Sequence, residues 1–454
     1  MITTRNPATG EVLDTYTELT APQIDAALDT AQDAFRAWRV APIDERTALL
    51  ERLAEAFEAN AERLARQATL EMGKTIASAR SEVAKCAALF RHLAQEGPAM
   101  LTEERWTLGA GGTARGVWLP SGPVLAVMPW NFPYWQVARF MGPAILAGNV
   151  GLLKHASSVQ GCAALIADMV IEAGGREGLF SNLPITSDPI GSIIADDRVA
   201  AVTLTGSEGA GRAVAEAAGK ALKKVVLELG GSDPFIVMPS ADMDAAVEAA
   251  VTARTQNTGQ SCICGKRMIV DASIYDDFLD RFTAAMAAVK AGDPFAEDTD
   301  MGPLSSEGQR TTVLEQLAKA QAEGARLTGG EPVESPGAFM TAGVLTGVPL
   351  DGETAREEIF GPVAQVYRAE GIDRAIEIAN AIPFGLGSSV WTTERAEQDR
   401  FVRDIEAGMT AINQVLASAP EAPFGGVKRS GHGRELSHQG LHEFMNLKTV
   451  FESA

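Results

Sequence analysis

From residue 122 onward the chain alternates short apolar runs with helical ones, and that rhythm restricts the fold more than any other feature. GPVLAVMPW (122–130) reads as a buried strand, GPAILAGN (142–149) as helix and VGLLKH (150–155) as strand. SVQGCAALIADMVIEAG (158–174) reads as helix, VAAVTLTGS (199–207) as strand, AGRAVAEAAGKAL (210–222) as helix and KVVLELGG (224–231) as strand. Alternation at this spacing predicts a parallel sheet with helices on both faces. The rhythm resumes with FIVM (235–238), a helix over 241–255, RMIVD (267–271) and a helix near 275–290, which predicts a second α/β unit joined near ELGGSDP. Upstream, 20–38 reads as an amphipathic helix: Thr20 and Gln23 resemble a capping box, Pro22 stands near the start, and Ile24, Leu28, Ala31, Phe35 and Trp38 share a face. An Ala/Glu/Arg/Leu-rich stretch, 44–96, continues as helices, and 105–120 reads as an extended strand or hairpin.

Charge excludes some partners. Lys+Arg 39 against Asp+Glu 59 gives −20, and an acidic surface repels phosphate backbones and anionic membranes. No run reaches the roughly 18 apolar residues of a membrane span. The first residues lack a basic region followed by an apolar run, so a cytoplasmic location is expected. Four cysteines (Cys86, Cys162, Cys262, Cys264) are too few for a disulfide framework in 454 residues.

Four segments carry candidate chemistry, and each has a plainer reading. QNTGQSCICGKR (256–267) puts Cys262 on a loop after a helix, with Gly259 permitting a sharp turn; backbone N–H groups there favour a thiolate, or the cysteine is a small buried hydrophobe. VVLELGGSDP (225–234) sets Glu228 among apolar neighbours, where burial raises a carboxyl toward the range of a general base, or the side chain caps nearby backbone. VMPWNFPYWQVAR (127–139) ends a strand with Asn131 in a Pro-rich turn, where an amide can face an oxyanion beyond the strand's carboxyl end, or simply sit in a turn. TLTGSEGAGR (203–212) opens a helix after Gly206 and Ser207; its free N–H groups suit a pyrophosphate, although G-x-G-x-x-G is absent and an ordinary turn fits equally.

Taken together, PWNFP, LLKHAS, LTGSEGAGR, ELGGSDP, NTGQSC, EEIFGPV and PFGGVKRSGHGRE, in this order, resemble the aldehyde dehydrogenase superfamily over nearly the whole chain. ELGGSDP, GRELSHQGLHEF and the short N-terminus resemble its short bacterial succinate-semialdehyde dehydrogenase branch. The resemblance implies an α/β fold with two Rossmann-like domains and a small β oligomerisation arm. It places a cofactor-binding domain at 1–104 and 120–230, a catalytic domain at 231–427, and the arm and C-terminal segment at 105–119 and 428–454. It implies that Cys262 is the nucleophile, Glu228 the base for water, and Asn131 an oxyanion donor beside the Cys262 N–H. The cofactor would lie on Met128, Pro129, Trp130, Lys154, Ser157, Gly206, Ser207, Leu229, Gly230, Glu358 and Phe360. The expected reaction is NAD(P)-dependent oxidation of a short aldehyde through a Cys262 thioester. No metal is expected; His438 and His442, four apart, fall in a segment that resembles a structural element.

Where many NAD-preferring relatives carry Glu, three residues after Lys154, this chain has Ser157. Losing that charge relieves repulsion of a 2′-phosphate, so NADP is the expected cofactor, with NAD as the alternative. Resemblance also assigns Arg139 to the distal carboxylate of succinate semialdehyde, Ser418 as its helper, and Phe132 and Trp135 as an apolar wall. Gln256 stands where some relatives have a second arginine, which implies fewer charges on the substrate. Cys264, one residue beyond Cys262, suggests a reversible disulfide that would block the nucleophile; strand alternation would instead turn it into the core. The rivals are a broad-specificity aldehyde dehydrogenase, a CoA-acylating relative, which would typically lack the Glu228 base, and a silent scaffold, which would have lost one of Cys262, Asn131 and Glu228. A homodimer or homotetramer is expected.

Overall fold

A computed structural model describes residues 1–109 and 111–453. Two sheets organise it. The first has six strands in the order Gly431–His432, Lys224–Glu228, Ala201–Thr205, Pro123–Met128, Val150–His155 and Phe180–Asn182. All are parallel except Gly431–His432, which returns antiparallel to Lys224–Glu228 and sets Gly431 opposite Glu228. The second has seven strands, Arg326–Gly329, Gly343–Thr346, Val363–Ala369, Gly265–Asp271, Asp233–Val237, Ser389–Trp391 and Ala411–Ile412, with only the first antiparallel.

Period-two burial builds the second sheet. Ile236 and Ile269 join one core cluster, while Phe235, Val237, Met268 and Val270 face the other. Alternate side chains of a strand point to opposite faces, so a sheet covered on both sides is apolar throughout. The helices Ala21–Trp38, Ile43–Ala59, Ala61–Met72 and Ile76–Met100 pack in the first sheet's core cluster. At the first of these, Gln23 Oε1 accepts from the Thr20 N–H at 2.9 Å, the reciprocal half of the box anticipated from sequence.

The hairpin region is two strands, Glu104–Thr107 and Thr113–Pro120, and the C-terminal strand Met445–Glu452 completes a three-stranded antiparallel sheet with them. Its side chains Trp106 and Phe451 are exposed. No helix among the described residues is long and apolar enough to cross a membrane.

Candidate active site

The C-terminal edge of the first sheet holds the first wall of the site, as expected for ligand sites on open α/β sheets. After Pro123–Met128 the chain turns through Pro129–Pro133 into the helix Trp135–Ala147. Two buried groups brace that turn. Glu82 Oε1 accepts from the backbone N–H of Tyr134 at 2.8 Å and of Trp135 at 2.9 Å. Its other oxygen pairs with buried Lys74, whose ammonium lies 4.2 Å from the centre of the Phe132 ring. From the other side, His155 Nε2 donates to Pro133 O at 2.9 Å and its Nδ1 accepts from Ala156 N–H at 2.9 Å. Burial pushes His155 down to about 4, so it stays neutral in this role.

Asn131 is thereby fixed. Its Nδ2 donates to Gln260 O at 3.0 Å, and its backbone carbonyl accepts from Asn257 Nδ2 at 2.9 Å. An amide nitrogen carries two hydrogens, so one remains for a reacting oxygen.

The second wall is the loop that follows helix Met243–Thr255. Asn257, Thr258 and Gly259 take φ of 53°, 56° and 72° in succession. A Cβ on Gly259 would come within 2.3 Å of Gly361 O, so only glycine fits there. Buried Arg254 ties the turn down, donating to Gly259 O at 2.6 Å and Gly361 O at 2.5 Å. Lys266, also buried, donates to the carbonyls of Ser261 at 2.8 Å and Cys262 at 2.7 Å, and pairs with Glu358 at 3.1 Å. The Cys262 N–H has no acceptor among the described residues.

Half-buried Cys262 lines two cavities at once. One, of about 180 Å³, brings together all five residues that resemblance assigns to the aldehyde, Phe132, Trp135, Arg139, Gln256 and Ser418, and adds Lys85 and Phe424. The other, of about 280 Å³, is walled by Pro129, Trp130, Gly206, Ser207, Leu229, Gly230, Glu358 and Phe360, and Asn131 and Glu228 line it together with Cys262. Met128 lies buried at the strand end. Lys154 and exposed Ser157 follow on the adjacent strand and its turn, outside the walls of this second cavity.

Several features of the second cavity suit a phosphorylated cofactor. Ser207 caps the helix Glu208–Lys220, its Oγ accepting from Ala210 N–H at 3.3 Å, so the positive end of that helix opens where a pyrophosphate would lie. Gly230 admits close approach: a Cβ there would stand 2.3 Å from Glu358 Oε2. Phe360 meets Trp130 edge-on with ring centres 5.7 Å apart, and Gln309 fixes the Phe360 carbonyl at 2.8 Å. Burial lowers the Lys154 ammonium from its ordinary value.

Protonation departs from one expectation. Backbone N–H groups were expected to favour a thiolate, yet enclosure pushes the Cys262 thiol up to about 12, with Arg139 and Lys266 pulling the other way. Desolvation of the anion outweighs those charges, so the sulfur needs a base when it attacks. Glu228 is the last residue of its strand rather than an interruption within it. Its carboxyl is raised well above the usual range by burial and by Glu435, against Arg139 and Arg434. Neither of its oxygens has a hydrogen-bond partner among the described residues, and Glu228 lines the second cavity.

Arg139 is on the aldehyde cavity as expected, with an acid, an amide and a ring against its guanidinium. Its Nε lies 2.8 Å from Glu435, one Nη donates to Gln136, and the guanidinium lies 4.2 Å from the Phe424 ring centre. Cys264 is buried and its thiol points to Gln256 O at 3.8 Å; it lines neither cavity. His438 and His442 lie on the short helix Ser437–His442, where the His442 ring stacks 3.8 Å from Trp118.

Sequence reading missed Glu82, Lys85, His155 and Lys266. Glu82 and Lys85 fall with Ser78 and Ser81 at helical spacing on the helix Ile76–Met100, a polar stripe that was available as a signal. The other two stand beside another basic residue in their strands, His155 after Lys154 and Lys266 before Arg267.

The chain belongs to the aldehyde dehydrogenase family, whose model matches residues 1–450. It is 51% identical over 453 residues to succinate-semialdehyde dehydrogenase [NADP(+)] 1 of Mycobacterium tuberculosis (strain ATCC 25618 / H37Rv), covering 99% of each chain. It is 51% identical to succinate-semialdehyde dehydrogenase [NADP(+)] of Mycobacterium avium (strain 104), covering 99% of this chain and 96% of that one. Among solved structures it is similar to succinic semialdehyde dehydrogenase from Streptococcus pyogenes in complex with NADP+, with a TM-score of 0.98, 37% identity and 100% of both chains covered.

Proposed function

We propose that this chain oxidises succinate semialdehyde to succinate with NADP as the hydride acceptor, NAD being the poorer alternative. The observation that carries the reading is one sulfur, Cys262, lining both the cavity walled by Trp135 and Ser418 and the cavity that reaches the helix start at Ser207. The names of the relatives at 51% identity supply the substrate and cofactor.

In this reading the Cys262 sulfur adds to the aldehyde carbon as its proton passes to solvent water, and the bond formed to carbon replaces the S–H bond. The spare Asn131 Nδ2 hydrogen and the Cys262 N–H hold the resulting oxyanion. When bound, NADP supplies the acceptor for the hydride released as that oxyanion collapses, leaving an acyl group on sulfur. Glu228 then takes a proton from water as the oxygen attacks the thioester, freeing the carboxylate and the thiol. Lys154 and Ser157, at the sheet edge beyond the second cavity, hold the adenosine ribose and its phosphate. The three-stranded sheet, with Trp106 and Phe451 exposed, is the surface that a second copy of the chain covers in a dimer or tetramer, and the cytoplasm is where the enzyme works.

Absorbance of NADPH formed from succinate semialdehyde, with and without CoA, tests the reading. Turnover independent of CoA with free succinate as product is expected. Succinyl-CoA as product, or no reduction of NADP, would overturn it.

A further inference from the structure

The strand Gly265–Asp271 carries two buried cations side by side near its start, and they are used differently. Arg267 places all three of its nitrogens on carbonyls, Ser232 O at 2.8 Å, Ile378 O at 2.8 Å and Ala379 O at 2.9 Å, and so ties the second sheet to its surroundings. Neighbouring residues of a strand face opposite ways, and Lys266 turns to the loop that carries Cys262. Its Nζ donates to Ser261 O at 2.8 Å and Cys262 O at 2.7 Å, and stands 3.1 Å from Glu358 Oε1. An ammonium has three hydrogens, and here each has an oxygen of the site. Lys266 itself lines neither cavity.

The first contact sets a direction. In a trans peptide the C=O and the N–H point opposite ways, and there is no cis peptide bond among the described residues. The Ser261 carbonyl and the Cys262 N–H belong to one peptide unit, so an ammonium on that oxygen turns the N–H away from itself. Cys264 N–H reaches the same oxygen at 3.2 Å, but it belongs to the loop, whereas Lys266 is anchored in the sheet. The third contact sets a carboxylate. With Oε1 on Lys266, Glu358 keeps Oε2 beside Gly230, on the wall of the cofactor cavity.

We propose that Lys266 is a positioning residue that registers the two cavities to each other: one ammonium aims the Cys262 N–H at the oxyanion and holds Glu358 against the cofactor. This deepens the thioester reading and rests on it. The same charge favours an anion on the sulfur. Lys266 and Arg139 oppose the burial that raises the Cys262 thiol, while Glu358 and Asp233 add to it.

The experiment compares wild type, Lys266→Met, Lys266→Gln, Glu358→Gln and the double variant Lys266→Met/Glu358→Gln. Alkylation by iodoacetamide, without cofactor, is followed by intact mass at about pH 8; Cys262 is the half-buried thiol and the other three are buried. The rate falls about tenfold in Lys266→Met and Lys266→Gln, because the sulfur anion loses a stabilising charge. Gln keeps a donor without the charge, so a lysine that acted only as a tether would leave that variant at the wild-type rate. A tether removed altogether in the Met variant would loosen the loop and speed alkylation.

NADPH formed in the first turnover, read by stopped-flow absorbance, slows about 100-fold in both variants, and equally for succinate semialdehyde and butanal, since the reacting centre is common to every aldehyde. If a single variant does not fold, the double one, which leaves no unpaired carboxylate behind, is compared with Glu358→Gln and shows the same slowing of alkylation. Alkylation as fast as in wild type or faster, or an undiminished first turnover, overturns the proposal. A wild type that forms no NADPH in its first turnover defeats the thioester reading itself; a wild type that forms it at a rate its Lys266 variants match defeats only the role of Lys266.

Discussion

The two cavities that meet at Cys262 are built on opposite electrostatic plans. The aldehyde side is aromatic, with the cations Lys85 and Arg139 in its wall. The cofactor side carries the acids Glu228 and Glu358 and the start of a helix at Ser207. Selectivity thus lies at the far end of each cavity, whereas the groups that make and break bonds are confined to the junction. Changes at the junction should stop the reaction for every aldehyde and either cofactor. Changes at the ends should redistribute preference and leave the steps themselves intact.

The largest expected effect is at the junction. Glu228→Gln should lower steady-state turnover by about 10³-fold, yet release one equivalent of NADPH in a fast first turnover, visible by stopped-flow absorbance with an acyl adduct on Cys262 by intact mass. A burst lost together with the steady state would place Glu228 in thiol activation as well, a demand that the raised Cys262 thiol makes reasonable. Because burial raises the Glu228 carboxyl, its basic form grows in as pH rises. The wild-type rate should climb along a limb displaced above the ordinary carboxylate range, and the Gln variant should lack it.

A smaller effect belongs to Arg139 in the aldehyde wall. Arg139→Met leaves Glu435 buried and unpaired, so the folded state should lose about 3 kcal/mol, read as a lower midpoint in urea, and kcat/KM should fall more for succinate semialdehyde than for an uncharged aldehyde. Equal losses for both aldehydes would contradict Arg139 as the partner of the distal carboxylate. Smallest is the far end of the cofactor side. Ser157→Glu should shift the NADP-to-NAD ratio of kcat/KM by about tenfold toward NAD, because its carboxylate would repel a 2′-phosphate on an exposed turn. An unmoved ratio would show that the phosphate lies elsewhere.

Much of this was legible in the sequence because it is local. Strand–helix alternation gives four strands of the first sheet and two of the second, Asp233–Val237 and Gly265–Asp271, and Thr20, Gln23 and Pro22 mark a helix start correctly. Cys262, Asn131 and Glu228 each stand in a segment whose flanks announce a turn or a strand end. What was not legible depends on partners distant in the chain. Nothing near Arg139 says that Glu435 will lie against it, and nothing near Lys266 says that Glu358 will pair with it. The expectation of a lowered thiol pKa failed for a related reason: loop composition reports accessible N–H groups, whereas the walls that desolvate the sulfur come from other elements. Cys264 shows the limit of spacing, since the chain turns here, with the Cys264 N–H donating to Ser261 O at 3.2 Å, and the Cys264 thiol points to Gln256 O inside the protein.

The strand Gly431–His432 lies against Glu228, and Glu435, which raises that acid, follows four residues after Gly431. On a growing polypeptide the base is synthesised about two hundred residues before its sheet neighbour. The segments that supply the sulfur and the amide would already have left the ribosome while this edge of the first sheet was still bare. A nascent chain therefore holds its reactive groups without their final surroundings, and competence toward aldehydes arrives abruptly, with the last few dozen residues.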